Sequence, residues 1–123
     1  MTIITYPIET RQVFASILEK NESIVIIKLG AEWCAPCKKI EGDVHGYFEK
    51  MPVNASCFII DIDESFDLYA YLKSKKVVNG IPALLAYRKG STNPCAPDEA
   101  VIGTDPNQLK MFFVNCMTMY NSL

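Results

Sequence analysis

The sequence predicts an α/β domain: one mixed sheet of about five strands, with helices on both faces. Three observations carry that expectation. Apolar β-branched runs alternate with amphipathic segments in the order β-α-β-α-β-α-β-β-α. Residues 24–29 and 57–62 are nearly continuous apolar runs, the pattern of strands buried on both faces of a parallel βαβ unit. Two later runs flank Lys89-Gly90 and read as a hairpin, which adds antiparallel strands. The chain has 123 residues, half of them hydrophobic and 21% charged, so residues 1–123 are expected to share one core in a single domain.

Each element has its own signal. Residues 3–6 form a short β-type run ended by Pro7. Val13, Phe14, Ile17 and Leu18 recur at helical spacing and predict a helix over residues 10–20. The strand over residues 24–29 is interrupted once, by Lys28. Cys37, Ile40, Val44 and Tyr47 stand at helical intervals, so a second helix is expected to run to about Lys50, weakened by Gly42 and Gly46. A strand over 57–62 follows, then a helix over 66–73 with Leu68, Tyr69 and Leu72 inward. Residues 83–87 and 100–102 are the hairpin strands, and 91–99, with two prolines, is a loop. The last helix has the fullest signature. Asp105 is the N-cap, Pro106 suits the first helical position, Gln108 completes a capping box, and Leu109, Phe112, Phe113, Cys116, Met117 and Tyr120 form one apolar stripe.

Charge and cysteine usage exclude several functions. The net charge is −2 and the pI near 5.3, so no basic field draws the chain to nucleic acid or an anionic membrane. The cluster Lys73, Lys75 and Lys76 fits the negative end of a helix dipole instead. The N-terminal residues lack the basic-then-apolar pattern of a secretion signal, and no apolar run is long enough to cross a bilayer. Five scattered cysteines, an odd number, do not form a disulfide framework, and a cytoplasmic location is expected.

The chemistry lies in Trp33-Cys34-Ala35-Pro36-Cys37-Lys38. This segment leaves a buried strand and opens a helix, where unpaired N–H groups and the helix dipole stabilise an anion. A thiolate there forms near neutral pH. The two-residue gap lets the sulfurs meet across one turn and close a small disulfide ring. Cys34, nearer the helix start and the more exposed, should attack a substrate disulfide, and Cys37, further inside, should resolve the mixed disulfide. Half of a zinc site is the competing use of such a pair. It needs two further ligands, and Cys57, Cys95 and the lone His45 supply no second close pair.

With these residues in view, the chain resembles the thioredoxins. Ala31-Glu32-Trp33-Cys34-Ala35-Pro36-Cys37-Lys38 and the downstream Gly80-Ile81-Pro82-Ala83 carry the resemblance, and the element order matches over nearly the whole length. The resemblance implies a thioredoxin fold and a thiol-disulfide oxidoreductase that reduces protein disulfides through a reversible Cys34-Cys37 dithiol. It implies a cis Ile81-Pro82 bond beside the cysteines, with the Ile81 backbone pairing an extended substrate segment. Trp33, Ala35 and Pro36 would complete the substrate groove, with Trp33 on its rim. No metal or organic cofactor is needed, electrons would come from a thioredoxin-reductase-type donor, and a monomer is expected. Pro36, where isomerase-type motifs usually have histidine, favours a reductant. The rival from another class is a non-enzymatic module that binds a partner through the same surface, which would not need both cysteines.

The chain departs from the family pattern below the cysteines. Thioredoxins usually carry a buried aspartate six residues before the first cysteine; here that position is Lys28, and the usual partner lysine maps to Ile59. Three placements are open to Lys28: reaching to the surface, pairing with Asp61 or Asp63, or lying buried under the cysteines and handling their protons. Gly42 stands where a helix-kinking proline is common, so a straighter or looser helix is expected, and Ala83 replaces a threonine. The loop 91–99 is long and carries Cys95, read either as an exposed thiol in a tolerated insertion or as a regulatory or dimer-forming one. Cys57 and Cys116 lie in apolar stripes and should be inert.

Overall fold

The computed structural model describes residues 3–123. Five strands form one sheet: β1 (Ile3–Ile4), β2 (Ile24–Gly30), β3 (Ser56–Asp61), β4 (Ala83–Arg88) and β5 (Glu99–Ile102). The spatial order is β1-β3-β2-β4-β5. β3 runs parallel to both β1 and β2, whereas β4 is antiparallel to β2 and β5 to β4. The expected mixed sheet is therefore present, and β2 lies at its centre.

Five helices cover the two faces: α1 (Arg11–Glu19), α2 (Ala35–Lys39), α3 (Glu41–Glu49), α4 (Phe66–Ser74) and α5 (Pro106–Asn121). The pleat of β2 divides its residues between two cores. Val25, Ile27 and Leu29 pack with Phe14, Leu18, Leu68 and Leu72 from α1 and α4. Ile24 and Ile26 pack with Val44, Phe48, Phe112 and Phe113 from α3 and α5. Burial on both sides explains why this strand reads as a continuous apolar run rather than an alternating one.

Local capping behaves as the side chains require. Thr10 caps α1, its hydroxyl accepting from the Val13 N–H at 3.1 Å. Asp105 caps α5, one carboxylate oxygen accepting from the N–H groups of Asn107 and Gln108. Leu109, Phe112, Phe113 and Cys116 are buried as the stripe predicted, and Met117 and Tyr120 pack at its edge.

Two expectations are corrected. The first strand keeps only Ile3–Ile4, paired with Cys57 and Phe58. The helix expected to run from Cys37 to about Lys50 is two helices, joined at Ile40 with φ −100° and ψ 0°. The chain bends there without a proline. Gly42 and Gly46 weaken helical continuation on the α3 side. Ile40, buried at 3%, joins the same core as Val44 and Phe48, so packing holds the bend.

Candidate active site

Strand β2 ends at Gly30, and the chain then turns into α2 through residues 31–34. Cys34 is the N-cap of α2, with extended backbone (φ −92°, ψ 102°), and Pro36 occupies the first helical turn, where its missing N–H breaks no bond. Cys34 and Cys37 are joined in a disulfide, with 5.3 Å between their Cα atoms. The Cys37 N–H also points at Cys34 Sγ, at 3.2 Å. A thiolate on Cys34 would keep that donor.

Both sulfurs are shielded. Cys34 is 5% exposed and Cys37 3%, so the expected difference in exposure is slight. The neighbours are open instead: Ala35 and Pro36 are exposed, and Trp33 is 68% exposed. The indole is held by a hydrogen bond from Nε1 to Asp63 Oδ2 at 2.9 Å. Asp63 follows β3, and its own N–H donates to Asp61 Oδ1. From sequence Asp63 stands only as a candidate partner for Lys28, and its hold on the Trp33 indole appears only in the fold. Its one signal was position, since Asp63 follows the strand parallel to β2 and so must emerge beside the cysteine turn.

The Ile81-Pro82 peptide bond is cis. Ala83 is paired with Leu29, which brings the buried Pro82 to the level of Gly30, the residue beneath Cys37. A Cβ on Gly30 would stand 3.3 Å from Cys37 Sγ. The Pro82 carbonyl accepts from the Gly103 N–H at 2.9 Å, while among the described residues no backbone group bonds the N–H or carbonyl of Ile81. The cis Ile81-Pro82 step, more than forty residues after the cysteines, is thus brought level with the strand end beneath the disulfide.

Lys28 is 5% exposed, in register with Ile59 of β3 and Leu84 of β4. It pairs with neither Asp61 nor Asp63; the ion pairs among the described residues are Arg11–Asp67 and Lys89–Glu22. Burial lowers its pKa below the ordinary lysine value, and Glu41 partly offsets this. Lys28 and Cys37 line one cavity of about 470 Å³ with Gly30, Glu41 and Asp61. Of the three placements considered, burial below the cysteines matches these contacts.

The remaining thiols stand apart. Cys57 and Cys116 are fully buried, and burial pushes Cys57 up to about 12 and Cys116 higher still. Cys95 is half-buried, its sulfur 3.3 Å from the Tyr71 hydroxyl, and Tyr87 fastens its loop by donating to the Pro94 carbonyl at 2.7 Å. His45 is partly buried on α3. Among the described residues no group of three or more His, Cys, Asp or Glu is placed to hold a metal.

The thioredoxin family model matches residues 6–114. The chain belongs to the thioredoxin family. Thioredoxin-1 of Saccharomyces cerevisiae is 28% identical over 88 residues, covering 66% of this chain and 81% of that protein. The thioredoxin of Oryctolagus cuniculus is 31% identical over 85 residues, covering 68% and 75%. Among solved structures, oxidised mitochondrial thioredoxin 3 from Saccharomyces cerevisiae superposes with a TM-score of 0.70 at 20% identity, covering 92% of this chain and 94% of that one. Trichomonas vaginalis thioredoxin gives 0.68 at 18% identity, covering 92% and 96%. Thioredoxins act on disulfide substrates and are reduced by reductase-type partners. With its paired cysteines at the helix start, the chain is a thioredoxin-type thiol-disulfide oxidoreductase.

Proposed function

We propose that this thioredoxin reduces protein disulfides with Cys34 as attacking thiolate and Cys37 as resolving thiol. The observation that carries the assignment is the bond geometry at the α2 cap: Cys34 Sγ accepts the Cys37 N–H at 3.2 Å. Cys34 attacks one sulfur of the substrate disulfide, the other sulfur leaves as a thiolate, and a mixed disulfide remains. Cys37 then attacks Cys34, the internal disulfide forms, and the second substrate sulfur leaves. Two electrons have passed to the substrate, and a thioredoxin-reductase-type donor returns them.

An extended substrate segment lies along Ile81, whose N–H and carbonyl carry no internal backbone bond among the described residues. Trp33, fixed by Asp63, forms the rim, with Ala35, Pro36 and Pro82 completing the groove. Lys28 takes part in proton handling. The redox centre is the disulfide itself, with no metal or organic cofactor. The chain works as a cytoplasmic monomer; the free thiols Cys57, Cys95 and Cys116 are in keeping with a reducing compartment.

Insulin-disulfide reduction by the wild type and Cys34→Ser tests this reading. Activity in the wild type and its loss in Cys34→Ser are expected. Turnover no faster than background in the wild type would shift the assignment to a partner-binding module.

A further inference from the structure

β2 is apolar on both faces except at one position. Lys28 projects to the face shared by Ile24 and Ile26, between strands β3 and β4, and is 5% exposed. The next residue on that face is Gly30, and Cys37 Sγ rests against it, 3.3 Å from where a Cβ would stand. Residues two apart in a strand are about 7 Å apart, a distance a lysine side chain spans. Lys28 and Cys37 accordingly line the same cavity.

The charged groups around that cavity come from every wall. Lys38 and Glu41 enter from the α2–α3 side, Asp61 and Glu64 from β3 and the turn after it, and Glu32 from the turn before the cysteines. None lies within ion-pair distance of Lys28 among the described residues. Asp61 Oδ1 is engaged by the Asp63 N–H, and Glu41 acts on Lys28 only through its field. Lys28 is thus a buried amine that shares its cavity with the inner sulfur of the redox pair.

Resting on the dithiol assignment above, we propose that Lys28 is the proton acceptor for the resolving step, its ammonium then pairing with the Cys37 thiolate across this cavity. In the mixed disulfide the Cys37 thiol passes its proton to the Lys28 amine. The sulfur's electron pair forms the Cys37–Cys34 bond, the Cys34–substrate bond breaks, and the substrate sulfur leaves with that pair. It is protonated from solvent, to which the Lys28 ammonium returns its proton. Amine and thiol together carry no charge, and the transfer creates an attractive pair. A carboxylate that accepted the proton would become a neutral acid and leave the thiolate without a counter-charge.

Reaction of the reduced protein with a chromogenic aromatic disulfide separates the two steps. The first aromatic thiolate released reports attack by Cys34, and the second reports resolution by Cys37. Lys28→Met is expected to slow the second phase about tenfold relative to the first at neutral pH and to raise its pH midpoint by about one unit. A second phase with the wild-type ratio and midpoint overturns the proposal. In the wild type, NMR titration of the Lys28 ε-methylene reads the same pair from the other side. Its pKa is expected to be higher in the reduced protein than in the disulfide, because the coupling is reciprocal. Equal values in the two states overturn the proposal even if Lys28→Met does not fold. Absence of both phases from the wild type is a separate failure: it removes the dithiol assignment, and this proposal with it.

Discussion

One methyl group at Gly30 is expected to move the reduction potential. An ideal Cβ there stands 3.3 Å from Cys37 Sγ and 3.5 Å from Cys37 Cβ. Carbon atoms rest comfortably at about 3.5–4.0 Å, and sulfur is larger, so in Gly30→Ala the sulfur must retreat by a few tenths of an ångström. In the disulfide that sulfur is tied to Cys34 and only 3% exposed. Overpacking of this size costs about 1 kcal/mol, the low end of the usual range. Reduction frees Cys37 Sγ to rotate away, so the cost falls on the oxidised form. For a two-electron couple about 30 mV corresponds to about 1.4 kcal/mol, which makes the shift about 20 mV upward. Losing a glycine also restricts the unfolded chain, but that gain is common to both redox states and cancels in the potential. Equilibration in graded glutathione buffers, with the oxidised fraction read by alkylation, measures the shift against the wild type. A potential that stays put or falls, in a variant with native circular dichroism, would refute the reasoning.

Other outcomes follow from burial and charge. Alkylation of the native, reduced protein should modify Cys95 but spare Cys57 and Cys116; a Cys57 adduct by mass spectrometry would contradict a thiol pushed up to about 12 by burial. In the oxidised protein Lys28 has its folded pKa lowered from 10.5. Between that lowered value and 10.5 the unfolded chain binds more protons than the folded one, so stability rises with pH there. The stabilisation by Lys28→Met should therefore be largest below the folded pKa and shrink as pH climbs toward 10.5, with urea midpoints across pH as the measure. Phe48→Ala, at a fully buried ring packed on Phe113, should cost about 3–5 kcal/mol by urea unfolding. A loss under 1 kcal/mol there would mean the site can collapse.

Much of the fold was legible because the signals are local. The Asp105-Pro106 start of α5 and the apolar stripe after it need only the chain's own helical period, and both appear as read. β2 declared itself by being apolar without alternation, which burial on both faces requires. The break at Ile40 was hidden, because it depends on core packing that sequence neighbours do not reveal. Cys34 read as the exposed sulfur from its place at a helix start. The disulfide and the walls around it bury it nearly as deeply as Cys37. Trp33 was legible as an exposed residue beside Cys34, but not the carboxylate that orients it, since Asp63 is thirty residues away.

What the sequence by itself determined is the chemistry: two cysteines one turn apart behind a buried strand, and an Ile-Pro step to meet them. Those are properties of residue type and short spacing, which backbone geometry converts directly into a reactive pair. The surroundings of that pair were decided by tertiary structure. Lys28 could have reached solvent, paired with a neighbouring aspartate, or faced the thiols; the same residue at the same position fits all three. Burial to 5% exposure closed off the first, no ion pair to Asp61 or Asp63 forms among the described residues, and what remains is a cavity that Lys28 shares with Cys37. A buried charge is governed by what surrounds it in space, and that is settled only when distant strands and helices close over it.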